Sequence, residues 1–323
     1  MLFRVLGLSL CLAAATLTSA AFAQSDYPAR PVTVIVPLPA GSAADGVARV
    51  VLPAAEKFLG QGFVIENEGG AASIPGTTRA AQADPDGYTL LWGTVATQAA
   101  NPNMFNDLPY DPGKDFTAVA RTAGQSLFLA VPTASGIESV EQLIAEAKKR
   151  GNMTYASAGV GTSAHLNAEL FQMAAGIQLR HIPYQAGSQS VLDLMRGEVD
   201  MMFYSLSQFQ PGLQTGELRL LAVASPERSS FQPDLPTLQE LGYQVDFTSW
   251  YGLYARAGTP PEDVAKLADA VNKALAEPDV IKALEATGTF AYPTATPAEF
   301  EEFTNVQRQR YADLIEARGI PKN

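Results

Sequence analysis

The sequence predicts an α/β protein of two lobes, with a cleft between them and two chain crossings. Three observations carry that prediction. Apolar strand-like runs alternate with segments of helical spacing twice over, from Val32 to Thr97 and again from Ile137 to Val223, the pattern of sheets covered by helices. A final stretch, Glu262 to Ala317, reads as helix alone and must pack back on the first half. The 323 residues, 47% of them hydrophobic, exceed what one core usually holds.

The N-terminus reads as a secretory signal. Arg4 supplies the positive charge, Val5 to Thr18 is apolar, and Ala21-Phe22-Ala23 resembles a cleavage site, so residues 1–23 are expected to be removed. The apolar part is too short to span a bilayer and no later run approaches ~18 apolar residues; a retained anchor is the alternative. Cys11, the one cysteine, sits inside this segment, so the mature chain has neither disulfide nor thiol site. An exported soluble protein in an oxidising compartment fits that usage. Removing residues 1–23 leaves 323 − 23 = 300 residues, with 21 basic against 33 acidic side chains and a net charge of −12. Such a chain is a poor partner for nucleic acid or an anionic membrane.

In order, Val32–Val36 is a β-branched strand. Ala44, Val47, Ala48, Val51, Ala55 and Phe58 follow at the spacing of a helix with one buried face, which Pro53 should kink or end early. Phe63–Glu66 is the next strand, then a glycine-rich loop to Gly76, a helix over Thr77–Gln82 and a strand over Tyr88–Trp92. A mainly parallel sheet is expected. Asn101–Asp115, rich in Pro, Asn and Asp, reads as a surface excursion. Strands Thr117–Arg121 and Leu127–Val131, parted at Gly124, lead to the second series. It comprises helix Ile137–Arg150, strand Met153–Ala156, helix Thr162–Ala174, strand Leu179–Ile182, helix Ser188–Arg196, strand Val199–Phe203, a short helix near Ser207 and strand Leu218–Val223. After an irregular Pro226–Pro236 comes strand Asp246–Tyr254, and then helices Glu262–Ala276, Pro278–Thr287 and Thr296–Ala317, with Thr259 and Thr296 as expected caps. The lobes are expected to be 24–124 with 249–323, and 125–248.

Pro37-Leu-Pro-Ala-Gly-Ser-Ala-Ala-Asp45 joins the first strand to its helix. A small-residue turn opening a helix exposes unpaired N–H groups, which with the helix dipole favour an anion. Gly159-Val-Gly-Thr-Ser-Ala-His165 sits in the same setting in the second half. It also matches the dinucleotide pattern G-x-G-x-x-A, but the ribose-binding acid required about 20 residues on is missing, since no Asp or Glu lies between Leu170 and Leu192. Taken alone it is an ordinary turn capped by Thr162; its pairing with the first loop raises the functional reading.

Catalytic signatures are lacking. Tyr155 stands where a nucleophile elbow around Ser157 needs glycine, and His165 and His181 lie in different elements without ligand-spaced partners. No metal, no cofactor and no enzymatic activity are expected. Thr94, Thr97, Tyr184-Gln185, Tyr204, Ser205 and Ser249-Trp-Tyr251 sit at strand ends, where ligands of open α/β sheets gather. Trp250 and Phe203 read as core; Tyr204 and Ser205 read as site.

Together these residues resemble the periplasmic solute-binding proteins of tripartite tricarboxylate transporters, the Bug receptors. The resemblance spans the mature chain through Tyr27-Pro-Ala-Arg-Pro31, Pro39-Ala-Gly41 with Asp45, Pro85-Asp-Gly-Tyr88, Leu108-Pro-Tyr-Asp-Pro112, Tyr155-Ala-Ser-Ala-Gly159, Gly161-Thr-Ser with His165, His181-Ile-Pro-Tyr184 and Ala257-Gly-Thr-Pro-Pro261. It implies a type II-like periplasmic binding protein closing around one carboxylate. Membrane transporter subunits would be its partners, and it would act as a monomer. Carried over, it assigns Ala40, Gly41, Ser42, Ala43 and Asp45 to one side of the ligand and Gly161, Thr162, Ser163 and His165 to the other. Such receptors often carry an acid, suited to a ligand ammonium, where this chain has Tyr204. A non-amino di- or tricarboxylate is therefore expected, with an aromatic one such as terephthalate as an option. A sensor module, or an exported hydrolase, is the rival class.

Overall fold

A computed structural model describes residues 27–245, 249–292, 296–317, 319 and 322. The expected signal, residues 1–23, and the start of the strand expected from Asp246 lie outside the described residues. The first half contains β1 (Val32–Val36), α1 (Ala43–Leu59), β2 (Phe63–Asn67), α2 (Ile74–Ala81), β3 (Thr89–Thr94), α3 (Asn101–Met104) and β4 (Phe116–Gln125). The middle contains β5 (Leu127–Pro132), α4 (Val140–Arg150), β6 (Thr154–Ser157), α5 (Ser163–Ala175), β7 (Arg180–Pro183), α6 (Gly187–Met195), β8 (Met201–Tyr204), α7 (Leu206–Gln214) and β9 (Leu218–Ala224). The last part contains β10 (Ser249–Arg256), α8 (Pro261–Leu275), α9 (Pro278–Ala286), β11 (Thr289–Ala291) and α10 (Pro297–Ala317).

Two sheets form, ordered β11-β4-β10-β3-β1-β2 and β7-β6-β8-β5-β9. Each is mixed, where a mainly parallel sheet was expected. β1 runs parallel to β2 and β3, but β10 is antiparallel to both β3 and β4. Likewise β6 runs parallel to β7 and β8, but β5 is antiparallel to β8 and β9. With the edge strand β11 set aside, the two sheets share one order and one pattern of directions. The odd strand in each, β10 or β5, is the first one laid down after the chain crosses from the other sheet. The crossings fall between Gln125 and Leu127 and between Ala224 and Ser249. Repeated βα units therefore account for four strands of each sheet, and the crossing supplies the fifth.

Apolar helix faces cover both sides of both sheets, as buried strands require. Val47, Val51 and Leu52 of α1 and Leu267 and Val271 of α8 pack on one face of the first sheet. Phe300, Tyr311 and Leu314 of α10 cover the other, with Trp250 and Tyr254 beneath them. The C-terminal helices do return to the first half. In the second sheet, Leu143 of α4 and Phe171 of α5 cover one face, and Val191 of α6 and Phe209 of α7 the other. Phe203 and Trp250 are fully buried, as expected of core.

Several local expectations need correction. Pro53 neither ends nor splits α1, because it lies on the exposed side, where water can serve the carbonyl deprived of its N–H partner. α2 starts at Ile74 rather than Thr77, and α4 at Val140 rather than Ile137. Asn101–Asp115 is not simply a surface excursion: Asn101, Met104 and Tyr110 are buried, with Asn101 donating to the Ala72 carbonyl and the Tyr110 hydroxyl. β4 runs unbroken through Gly124, whose missing side chain makes room for the Tyr292 and Phe290 rings. Thr259 does not cap α8; its hydroxyl donates to the Arg256 carbonyl. Thr296 and Glu299 do form a reciprocal capping box before α10.

Candidate functional site

The loops after β1 and β6 have the same geometry. Gly41 and Gly161 both sit at φ +79°, the left-handed region that glycine enters without strain. The next residues, Ser42 and Thr162, are extended at φ −68°, ψ 162° and φ −69°, ψ 158°. Their N–H groups donate to the Pro39 and Gly159 carbonyls at 3.2 and 3.4 Å. Their hydroxyls accept from the N–H groups of Asp45 and His165, capping α1 and α5. Each Gly N–H then donates four residues forward, Gly41 to Asp45 Oδ2 at 2.8 Å and Gly161 to His165 Nδ1 at 3.2 Å.

Each loop therefore keeps two helix-terminal N–H groups in reserve. Ser42 and Thr162 use their cap hydroxyls on the third helical position, and Gly46 and Leu166 bond back to the cap carbonyls. Among the described residues the N–H groups of Ala43 and Ala44, and of Ser163 and Ala164, have no partner, and all four residues line one cleft. Unpaired donors at a helix N-terminus, reinforced by its dipole, suit a carboxylate. Charge-assisted bonds of this kind contribute about 1.5–3 kcal/mol each.

Asp45 and His165 are parts of the loops rather than of the cleft wall. Asp45 is 2% exposed and also accepts from Arg49 Nε and Asn67 Nδ2, at 2.9 Å each. Burial alone would raise its carboxyl, but the bonds from Arg49, Gly41 and Asn67 hold it below the usual carboxylate range. His165 fills the equivalent position with a neutral ring. Burial lowers its pKa to about 4, against the opposing pull of Glu169, so Nδ1 remains an acceptor at neutral pH. The ring stacks on His181 with centroids 4.3 Å apart, and His181 stacks on Tyr155 and contacts Ser157 Oγ through Nε2 at 2.7 Å.

The cleft lies between the sheets at the carboxyl ends of their parallel strands and encloses about 900 Å³, counting the space open to solvent. Of the residues singled out from sequence, Ala40, Gly41, Ser42, Ala43, Thr94, Thr162, Ser163 and Tyr204 line it. Asp45, Thr97, Gly161, His165 and Ser205 stand behind the wall. Thr97, fully buried, closes the turn after β3 by accepting from the Thr94 N–H at 3.0 Å. Gly161 packs against Met104 and Asn101 of the first half. Ser205 is buried, and its carbonyl accepts the Gln208 and Phe209 N–H groups at the start of α7.

Further wall residues carry a weaker mark in the sequence or none. Gln125, Leu127, Ser249 and Tyr251 come from the two crossings, and Ala186, Gly187 and Ser188 form the start of α6, which has no side-chain cap. Gln185, Ser249 and Tyr251 are marked in the sequence as strand-end polar residues. The start of α6 carries no such mark, because its place follows from the second sheet repeating the first. Tyr204 stands against it: a Cβ on Gly187 would fall 1.9 Å from the Tyr204 hydroxyl, so any larger residue must displace the ring. Burial pushes the Tyr204 phenol up to about 12, keeping it neutral. Among the described residues, none of those lining the cleft carries a charge.

A sequence model described as tripartite tricarboxylate transporter family receptor matches residues 47–320. The chain belongs to that family. The receptor is 34% identical to BugT of Bordetella pertussis over 297 residues, 91% of this chain and 90% of BugT. A Rhodopseudomonas palustris protein solved with adipate superposes at a TM-score of 0.87 with 30% identity, covering 92% of this chain and 100% of that one. MatC of Rhodopseudomonas palustris, with bound malate, gives 0.83 and 30%, covering 90% and 100%. The family and its solved members are solute-binding receptors of the periplasm, so this receptor is a binding protein and not an enzyme.

Proposed function

We propose that the receptor captures a small non-amino carboxylate in the cleft and hands it to the membrane subunits of a tripartite transporter. The observation that carries this reading is the pair of matching loops, which among the described residues present four unpartnered N–H groups to a cleft lined by uncharged side chains. Dipoles rather than a cationic clamp would hold the ligand, which suits a chain whose formal net charge is −11. The adipate and malate found in related receptors support a dicarboxylate. The Tyr204 and Tyr251 rings in the wall support an unsaturated or aromatic acid such as terephthalate. Residues 24–124 with 249–323 would form one lobe and 125–248 the other, closing about the two crossings, with the receptor acting as a periplasmic monomer released from its signal.

Calorimetric titration with succinate, citrate, terephthalate and aspartate tests the reading. One-to-one binding of a non-amino acid of this set, with aspartate weaker, is expected; preferential aspartate binding would sink it.

A further inference from the structure

Gln125 is 2% exposed, ends β4 at the first crossing, and pairs across the sheet with Ser249 at the second. Its side chain belongs to a hydrogen-bonded chain along the cleft floor. Ser163 Oγ, in the first turn of α5, donates to Ser249 Oγ at 3.1 Å. The Ser249 hydroxyl in turn contacts that of Tyr251. Tyr251 Oη donates to Gln125 Oε1 at 3.0 Å. The direction of the last bond decides the chemistry. Burial raises the Tyr251 phenol, with Tyr204 adding to the effect, so Tyr251 remains a donor and binds the carbonyl end of the amide. The other end, Nε2, has no partner among the described residues, and Gln125 lines the cleft.

We infer that Gln125 Nε2 is the recognition donor for the far end of the ligand, with Tyr251 and Ser249 its positioning residues, and that the receptor thereby selects acids whose second end is a hydrogen-bond acceptor. An amide nitrogen has two N–H donors and no acceptor. It completes a carboxylate or carbonyl but meets an ammonium donor-to-donor, leaving both unsatisfied. Binding at the near end by α1 and α5 tests only for a carboxylate; the amide tests the far end. This assignment rests on the cleft being the carboxylate site.

Matched pairs separate the two claims: succinate with β-alanine, adipate with 5-aminopentanoate, and terephthalate with 4-(aminomethyl)benzoate, the amine replacing one carboxylate by an ammonium in the first two pairs and by an ammoniomethyl group in the third. Wild type should bind the diacid of at least one pair roughly 10- to 100-fold tighter than its amine. Gln125→Glu, which turns the donor end into an acceptor, should move that ratio toward the amine by at least tenfold. Gln125→Met, of similar size and without the amide, should erase most of the ratio and serves if the first variant does not fold. Tyr251→Phe frees the amide to rotate and should lower the ratio without abolishing binding. If wild type binds no acid of the set, the carboxylate reading itself fails. If it binds a diacid and the ratio is unchanged in the folded Gln125 variants, only the Gln125 assignment fails.

Discussion

Acidification should weaken the protein through His165. The imidazole titrates near 6.5 in an unfolded chain but is held at about 4 in the fold by burial. Between those values the unfolded chain takes up a proton that the folded one refuses, so stability falls as pH drops and is untouched above about 7. At pH 4.5 the unfolded side chain is about 99% protonated and the folded one mostly neutral, a loss of roughly 2–3 kcal/mol relative to pH 7. His181, lowered to about 3 by burial and then by His165, acts in the same direction. Below pH 4 a proton on Nδ1 would remove the acceptor of the Gly161 N–H and disorganise the second loop. His165→Asn isolates the effect: its Oδ1 stands close to where Nδ1 was, accepts from Gly161, and does not titrate. Urea unfolding at pH 7 and 4.5, followed by the fluorescence of buried Trp92 and Trp250, should show the variant losing roughly 2–3 kcal/mol less than wild type across that interval. Carboxylates such as Asp45 contribute equally in both proteins and cancel. Equal losses in the two would refute a neutral, acceptor His165.

Gly187→Ala places a methyl where the Tyr204 hydroxyl stands, so the ring must swing away. Ligand affinity by calorimetry should fall at least tenfold, while thermal melting shows a cost of about 1–3 kcal/mol; unchanged affinity would remove Tyr204 from the wall. Raising NaCl from 20 to 200 mM shortens the screening length from roughly 20 to 7 Å. Because the described residues of the cleft are uncharged and the chain as a whole acidic, carboxylate affinity should hold steady or rise slightly. A tenfold fall would point to a cationic side chain at the ligand.

What could be read from the sequence was what is local. The turns at Gly41–Ser42 and Gly161–Thr162 are written in four or five consecutive residues, and both loops were identified with their helices. Asp45 and His165 were placed correctly in those loops but expected at the ligand, because spacing cannot say whether a side chain turns toward its own loop's glycine or outward. The Asn101–Tyr110 segment was misjudged because Asn and Pro suggest exposure, whereas Asn101 has its donors satisfied inside. β11 is three residues long and stands only because β4 offers it an edge. Gln125 and Tyr251 are 126 positions apart and meet only after both crossings are made. The likeness of the two sheets was equally hidden, since their fifth strands come from opposite ends of the middle segment.

The central claim is that backbone amides of two helix N-termini, one from each half, hold the carboxylate. Amide-resolved hydrogen exchange on the receptor, free and saturated with whichever acid binds, tests it most directly. The account predicts added protection at Ala43 and Ala44 and at Ser163 and Ala164 together, with Gly41 and Gly161 little changed because their N–H groups are already bonded. Protection confined to one helix, or absent from all four amides while the ligand is bound, would contradict it.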